Sequence, residues 1–237
     1  MIKNFFEYLK NPVSTDDPEI FTFKIYFKLI VLGYLLVFMS SIFVAIIRTF
    51  NVLPHYFNPK IDSLKGIDSI FFFLFVILVG PLIEEILCRL NLKITKLNIA
   101  VFFAVLIPVI IKLIFFRAFH LYFYLSSLPL FIGIYYAINR FGFASDKIEI
   151  FVKSKFKYVF HLSAIVFGMI HLTNYDTIYW WMIVIIPLLT APYISMGYLF
   201  GYVRMKYGFV NGFLMHSTVN FISVLLVMTK HFIHFLQ

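Results

Sequence analysis

Apolar residues run along this chain in long stretches that polar residues interrupt mainly at their ends. A helix needs about 20 apolar residues to cross a bilayer, because lipid offers the backbone no hydrogen-bond partners. Stretches of this kind lie at residues 27–47, 69–90, 97–116, 119–138, 158–175, 180–202 and 209–228. The pattern predicts an all-α fold, a polytopic transmembrane helical bundle with about seven membrane spans.

The composition excludes an ordinary soluble domain. Of the 237 residues, 62% are hydrophobic and only 13% are charged, and the mean hydropathy is +0.94. These values lie far outside the usual make-up of soluble proteins. Cys88 is the only cysteine, which excludes an intramolecular disulfide and a cysteine-based zinc cluster.

The basic residues indicate an orientation in the membrane rather than a nucleic-acid partner. The formal net charge is +9, and the predicted inner segments hold 14 of the 20 Lys and Arg residues. Basic residues are enriched on the cytoplasmic side of membrane proteins, so we expect the amino terminus inside and the carboxyl terminus outside. Trp180 and Trp181 would then anchor at the outer interface. We expect a multi-pass protein of a cell membrane, of the bacterial inner-membrane type.

The chain is predicted to form one membrane domain preceded by a short arm. Residues 1–22 lack the apolar core and cleavage site of a signal peptide, which indicates a retained interfacial arm. Residues 23–237 form the single membrane-embedded domain. Within it, residues 139–158 are the one clearly polar internal loop, and we expect this loop to turn a basic face toward membrane lipid headgroups.

Ionisable residues inside the predicted spans are the strongest sign of function. Each costs several kcal/mol in a membrane unless it is paired or lines a wet cavity. Glu85 and Arg89 are four residues apart and share one helix face, whereas Glu84 is rotated from Glu85 by about 100°. We expect Glu85 and Arg89 to pair, which leaves Glu84 available for chemistry. Pro81 lacks an N–H and is expected to loosen the helix just before the acids.

Two later helices add polar groups at similar depths. Phe167 shares a face with His171, and Asn220 shares one with His216. At a rise of about 1.5 Å per residue, these positions and Glu84 overlap between the cytoplasmic half and the midplane. Such convergence is what an active site or ion site requires. A structural role is favoured for the two other ionisable residues in the spans, His161 and Lys112.

Three short motifs resemble those of a known family. The segments "EEILCR" (Glu84, Glu85, Arg89), "FGMIH" (Phe167, His171) and "HSTVN" (His216, Asn220) resemble the ordered motifs EExxxR, FxxxH and HxxxN. These belong to the CAAX protease and bacteriocin-processing (CPBP) family of Abi-type intramembrane proteases, which includes the CAAX prenyl protease 2 type. The resemblance covers residues from about 69 to 228.

The chain departs from the family pattern in two places. An apolar stretch of about two spans, residues 97–138, separates the first two motifs, which usually lie on consecutive helices. An even number of added crossings preserves the orientation of the helix that carries His171. Leu90 follows Arg89 where a glycine is frequent.

The resemblance implies an intramembrane endopeptidase that cleaves membrane-associated peptide or protein substrates, in CAAX-type or leader-peptide processing. It implies that Glu84 is the general base that activates water, with His171, His216 and Asn220 positioning the water and stabilising the oxyanion. Glu85 and Arg89 would hold the helix of the base. A carboxylate in a low-dielectric cavity suits general-base chemistry, and histidine and amide donors suit an oxyanion.

The sequence is compatible with both a metal-dependent and a metal-free reaction. Two histidines and a glutamate are a plausible catalytic zinc set with water in the remaining position. Asn220 is a poor zinc ligand and a good hydrogen-bond donor, which equally suits a metal-free reaction driven by the glutamate. A dyad of Ser195 and His216 fits less well, because Ser195 lacks the glycine-flanked context of a rhomboid nucleophile.

Two other functions compete with the protease. A proton- or cation-coupled carrier would use the same intramembrane acid and histidines as a relay, although no inverted repeat is apparent. A catalytically idle scaffold or bacteriocin-immunity membrane protein would use the bundle alone.

Overall fold

The computed structural model describes residues 2–15, 17–49, 73–115, 125–140, 145–175 and 178–235. Helices account for 89% of the structure, and no strand forms within these ranges. The α-helices are α1 Ile2–Lys10, α2 Phe23–Thr49, α3 Gly80–Arg89, α4 Lys96–Phe115, α5 Ser127–Arg140, α6 Ser145–Ser154, α7 Phe156–Ile170, α8 Ile186–Tyr207 and α9 Phe209–Phe235. A π-helix, Phe75–Val79, precedes α3, and short 3-10 helices lie at Leu90–Leu92, His171–Asn174 and Trp180–Val184.

Four helices are long and apolar enough to cross a membrane, as judged by length and composition. They are Phe23–Thr49, Phe156–Asn174, Ile186–Tyr207 and Phe209–Leu226. These four helices confirm the predicted all-α membrane class. The other three predicted spans, at residues 69–90, 97–116 and 119–138, each extend beyond the described residues.

Several element boundaries differ from those predicted. The predicted span 180–202 is not one helix, because Trp180–Val184 is a 3-10 turn and α8 begins only at Ile186. Pro187 explains this start, since proline has no N–H to lose and suits the first turn of a helix. The polar segment 139–158 is not only a loop, because it contains helix α6, which begins at residue 145 and ends at Ser154.

Helix α8 lies at the centre of the bundle, against α2, α7 and α9. Half of its membrane window is buried, compared with 11% for α2. Close contact between α7 and α8 depends on two glycines. A Cβ atom at Gly197 would lie 2.8 Å from the Ala164 carbonyl oxygen, and one at Gly168 would lie 3.0 Å from the Ile194 amide nitrogen. Both neighbours are backbone atoms, so a larger residue would push the two helices apart.

The amino-terminal arm caps the end of α8. The last carbonyls of a helix have no partner within it. Here the Thr15 hydroxyl donates to the Met205 carbonyl at 2.6 Å, and the Glu19 N–H donates to the Lys206 carbonyl at 2.7 Å. Lys206 also pairs with the Glu19 carboxylate at 3.1 Å. The arm is therefore built into the bundle at this end.

Helix α1 adds buried aromatic contacts to the same region. Phe5 is 1% exposed, and its ring meets that of Tyr202 on α8 edge-on at 5.3 Å. Burial raises the pKa of the Tyr8 phenol, which donates its proton to the Val13 carbonyl at 2.8 Å. The arm thus contributes core packing as well as helix capping.

We predict opposite effects for two glycine-to-alanine substitutions. Gly197→Ala should lower the free energy of unfolding by about 1–3 kcal/mol, because the methyl group meets the backbone of α7. Gly133→Ala is the matched control, since nothing lies within 4 Å of the added methyl group. With no described residue in reach of the methyl group at position 133, the change should be neutral or stabilise by up to about 1 kcal/mol through a better helix propensity. Denaturant titration in detergent micelles measures both values, and equal destabilisation would contradict the packing argument.

Candidate active site

The centre of the candidate site is a fully buried ion pair on α3. Arg89 Nη1 donates to Glu85 Oε1 at 2.6 Å, and both side chains are 0% exposed. This pairing is the one that the sequence predicts from their spacing. The same oxygen, Glu85 Oε1, also lies 2.9 Å from Nδ1 of His216 on α9. Glu85 therefore joins α3 to α9 as well as holding the arginine.

Glu84 lies on the other side of the same histidine. Its Oε2 atom is 3.4 Å from His216 Nε2, and its side chain keeps 29% exposure. This oxygen is buried and makes no hydrogen bond to any described residue. His216 thus stands between two carboxylates, one on each ring nitrogen.

The contacts of His216 define where its protons are. Glu85 Oε1 accepts from Arg89, so the 2.9 Å contact requires that Nδ1 of His216 carries a proton. His216 Nε2 is the ring nitrogen nearer Glu84, and the 3.4 Å between Nε2 and Glu84 Oε2 is a close polar contact rather than a hydrogen bond.

Aromatic rings cover the charged groups. The Arg89 guanidinium carbon lies 3.9 Å from the centre of the Phe167 ring. Arg89 Nε and Nη2 have no hydrogen-bond partner among the described residues, so the ring face supplies a cation–π contact instead. Phe200 of α8 stacks on the imidazole of His216 at 4.3 Å. These rings hold the cation and the histidine in place and exclude water from them.

His171 is fixed by two contacts at the end of α7. The helix ends at Ile170, and His171 begins the following 3-10 turn. Its Nδ1 atom lies 2.8 Å from the Phe167 carbonyl oxygen, which only an N–H can satisfy. Tyr193 of α8 stacks on its ring at 4.3 Å. In the neutral ring, Nε2 is therefore a hydrogen-bond acceptor.

Asn220 has a structural partner that the sequence does not suggest. Its Nδ2 atom donates to the Val76 carbonyl at 3.0 Å, within the π-helix. The Gly80 N–H bonds to the Phe75 carbonyl, and the next position, Pro81, has no N–H to offer to Val76. Within the π-helix, Pro81 thus explains why the Val76 carbonyl is left for Asn220 to satisfy. One N–H of the Asn220 amide stays available for another acceptor.

A cavity of about 530 Å³ lies between α2, α7, α8 and α9. Of the predicted site residues, His171, His216 and Asn220 line it, whereas Glu84, Glu85 and Arg89 do not. Most of the wall is apolar, and Arg48 at the end of α2 is the cation among the described lining residues. The volume is typical of a ligand site. The two glutamates contact His216 rather than the cavity wall, and the Glu84 side chain keeps 29% exposure.

Sequence reasoning missed the two α8 rings that stack on the histidines. Tyr193 and Phe200 are seven residues apart, so two helical turns place them on one face. That spacing is the signal that could have found them, although a long apolar helix offers many such pairs. The other candidates lie apart from the cluster. Ser195 donates to the Ala191 carbonyl at 2.8 Å, and His161 contacts the Tyr198 hydroxyl at 3.2 Å.

The described residues do not form a metal site. No three or more His, Cys, Asp and Glu side chains in the described ranges are arranged to hold one metal ion. His216 directs one ring nitrogen at each glutamate, and His171 uses Nδ1 for a backbone carbonyl. No three-ligand set is therefore assembled among the described residues.

Comparison with known proteins found no matching family model, no matching curated protein and no matching solved structure. The order of the three motifs stays a resemblance. The geometry of the cluster is the basis on which a function is argued.

We predict a large cost for breaking the buried pair. Arg89→Leu should lower the free energy of unfolding by about 3–5 kcal/mol, because Glu85 would stay buried with an uncompensated charge. Lys153→Leu is the matched control, since Lys153 and Glu149 form an exposed pair with the same spacing at 2.9 Å. It should cost less than about 1 kcal/mol. Similar losses in both variants, measured by denaturant titration in micelles, would contradict this account.

We also predict coupling between Asn220 and Pro81. Asn220→Ala should cost about 1–3 kcal/mol of stability, because the Val76 carbonyl would lose its donor. In a Pro81→Ala background, the new N–H at position 81 can take over this carbonyl. The cost of Asn220→Ala should therefore fall by at least about 0.5 kcal/mol in that background. Strict additivity in the double-mutant cycle would show that the missing N–H at position 81 is not what leaves the Val76 carbonyl to Asn220.

Proposed function

We propose that this protein is an intramembrane endopeptidase that hydrolyses peptide bonds of membrane-associated peptides or proteins with water activated by Glu84. The observation that carries the proposal is the position of His216. It borders the cavity and contacts Glu84 at 3.4 Å and Glu85 at 2.9 Å. A partly exposed acid beside a histidine that borders a cavity is an arrangement that general-base hydrolysis can use.

The first step is attack by water. His216 enters this step with a proton on each ring nitrogen, and Glu84 enters it as a carboxylate. Glu84 takes one proton from the water molecule while the water oxygen bonds to the substrate carbonyl carbon. His171 Nε2 accepts a hydrogen bond from the other O–H of the water and so orients the water molecule. Nε2 is the acceptor because the Phe167 carbonyl holds the proton on Nδ1. The second water proton stays on the new hydroxyl group.

The second step stabilises and then breaks the tetrahedral intermediate. His216 Nε2–H and the free N–H of Asn220 donate to the oxyanion, which is where fixed donors lower a barrier most. The C–N bond then breaks, and Glu84 returns its proton to the leaving amine. The products are a carboxylic acid and an amine, and the site regains its starting charges. Arg89 and Glu85 act as positioning residues, because they touch His216 and its surrounding rings rather than the substrate.

The cellular setting belongs to the same proposal. We place the protein in a bacterial inner membrane with about seven spans and the amino terminus inside, as the distribution of basic residues favours. The cavity is mainly apolar, which suits a peptide segment entering from the membrane. Both CAAX-type and leader-peptide substrates fit this description. No observation favours a carrier or an idle scaffold over hydrolysis.

We predict that cleavage depends on Glu84 and His216. Purified wild-type protein in detergent should cleave members of a fluorogenic panel of membrane peptides. Glu84→Gln should lower the rate about 10²–10⁴-fold by removing the base, and His216→Ala about 10²–10³-fold by removing an oxyanion donor. A zinc chelator should leave the wild-type rate unchanged.

Each control makes the same type of substitution at a residue outside the site. Glu149→Gln removes an exposed acid, and His161→Ala removes a histidine whose partner is Tyr198 rather than the cluster. Both should keep the wild-type rate. Equal rates in wild type, Glu84→Gln and His216→Ala would overturn the site. Loss of cleavage with the chelator and recovery with zinc would overturn the metal-free mechanism, while substrate-dependent uptake into liposomes without cleavage would favour the carrier.

A further inference from the structure

A second groove lies outside the candidate site, between the amino-terminal helix and the first long span. It has a volume of about 560 Å³, and α1 and α2 form its walls. Ile2 and Lys3 line it from α1, and Lys28, Val31, Leu32 and Leu35 are among the α2 residues that line it. No residue of the candidate active site takes part in this groove.

The α2 wall has a polar end and an apolar length. Lys28, Val31, Leu32 and Leu35 are spaced by three, four and seven residues, so they form one stripe along the helix. At about 1.5 Å per residue, the stripe runs roughly 10 Å from the lysine along the helix axis. Residues 29–47 carry no charge, so Lys28 marks where α2 leaves the headgroup layer and enters hydrocarbon.

The exposure of this stripe shows what surrounds it. Only 11% of the membrane window of α2 is buried, and Val31 and Leu35 are 42% and 51% exposed. An exposed apolar surface on a membrane-spanning helix faces acyl chains. At the polar end, Lys3 and Lys28 bring two positive charges to the same groove, and Glu7 offsets part of that charge through a contact of 3.8 Å with Lys3.

We propose that this groove is a binding site for one anionic phospholipid. The phosphate lies between Lys3 and Lys28, and one acyl chain follows Val31, Leu32 and Leu35 into the membrane. Charge complementarity selects an anionic headgroup, and the position of the apolar wall within a span selects a lipid rather than a soluble anion or an acidic peptide. The lipid would join α1 to α2. This site stands independently of the proposed protease activity.

Native mass spectrometry of the full chain in detergent tests the site. The protein is titrated with phosphatidylglycerol and with phosphatidylcholine of identical acyl chains. We expect one tightly bound phosphatidylglycerol and weaker binding of phosphatidylcholine. Lys3→Gln with Lys28→Gln should weaken phosphatidylglycerol binding about 25-fold, at about fivefold for each basic residue at an anionic lipid surface. The control, Lys10→Gln with Lys24→Gln, removes one lysine from each helix without touching the groove and should keep wild-type binding.

A second pair of variants tests the acyl path without changing charge. Val31→Trp should fill the groove and weaken binding of phosphatidylglycerol, whereas Phe38→Trp, at an exposed α2 position outside the groove, should not. The proposal would be overturned if the protein bound both lipids with equal affinity. It would also be overturned if both lysine double variants lost the same affinity for phosphatidylglycerol, or if Val31→Trp left that affinity unchanged. If glycerol 3-phosphate displaced bound phosphatidylglycerol as effectively as added lipid did, the site would bind soluble phosphates, and the lipid assignment would be overturned.

Discussion

Two adjacent carboxylates inside a membrane domain dictate how the helices around them must pack. Glu85 is fully buried, and a buried charge without a partner costs more than most helix contacts contribute. Arg89 and a proton-bearing His216 supply the compensation from α3 and α9. The helices must therefore meet at this point with little freedom of rotation, because removing either partner would leave an unpaired charge in a medium of low dielectric constant.

Helix α8 carries no member of the three motifs, yet it organises the site. Its glycines allow α7 to approach closely, and its rings at Tyr193 and Phe200 stack on the two histidines. The amino-terminal arm caps the final carbonyls of the same helix. Packing of a small-residue face against α7 and of an aromatic face against the histidines thus links stability to the geometry of the cavity.

The class of protein and the contacts within single elements follow from the sequence alone. Long apolar stretches require helices in lipid, and the structure has four helices that fit a membrane. The pairing of Glu85 with Arg89 was predictable because residues four apart on one helix are neighbours whatever surrounds them. Pro81 likewise indicated a local disturbance, and the π-helix lies directly before it. Local geometry is set by the chain itself, so spacing is enough to predict it.

How the separate helices meet depends on packing that the sequence pattern does not reveal. Contact of His216 with both glutamates, donation from Asn220 to Val76 and stacking by Tyr193 and Phe200 each depend on the rotation and separation of two helices. Sequence spacing carries no information about that rotation, which close contacts such as Gly197 against Ala164 determine. Helix α6 was missed within the polar segment 139–158, since a ten-residue helix with Asp146 in its first turn and Lys153 in its last lacks the apolar run that marks a span.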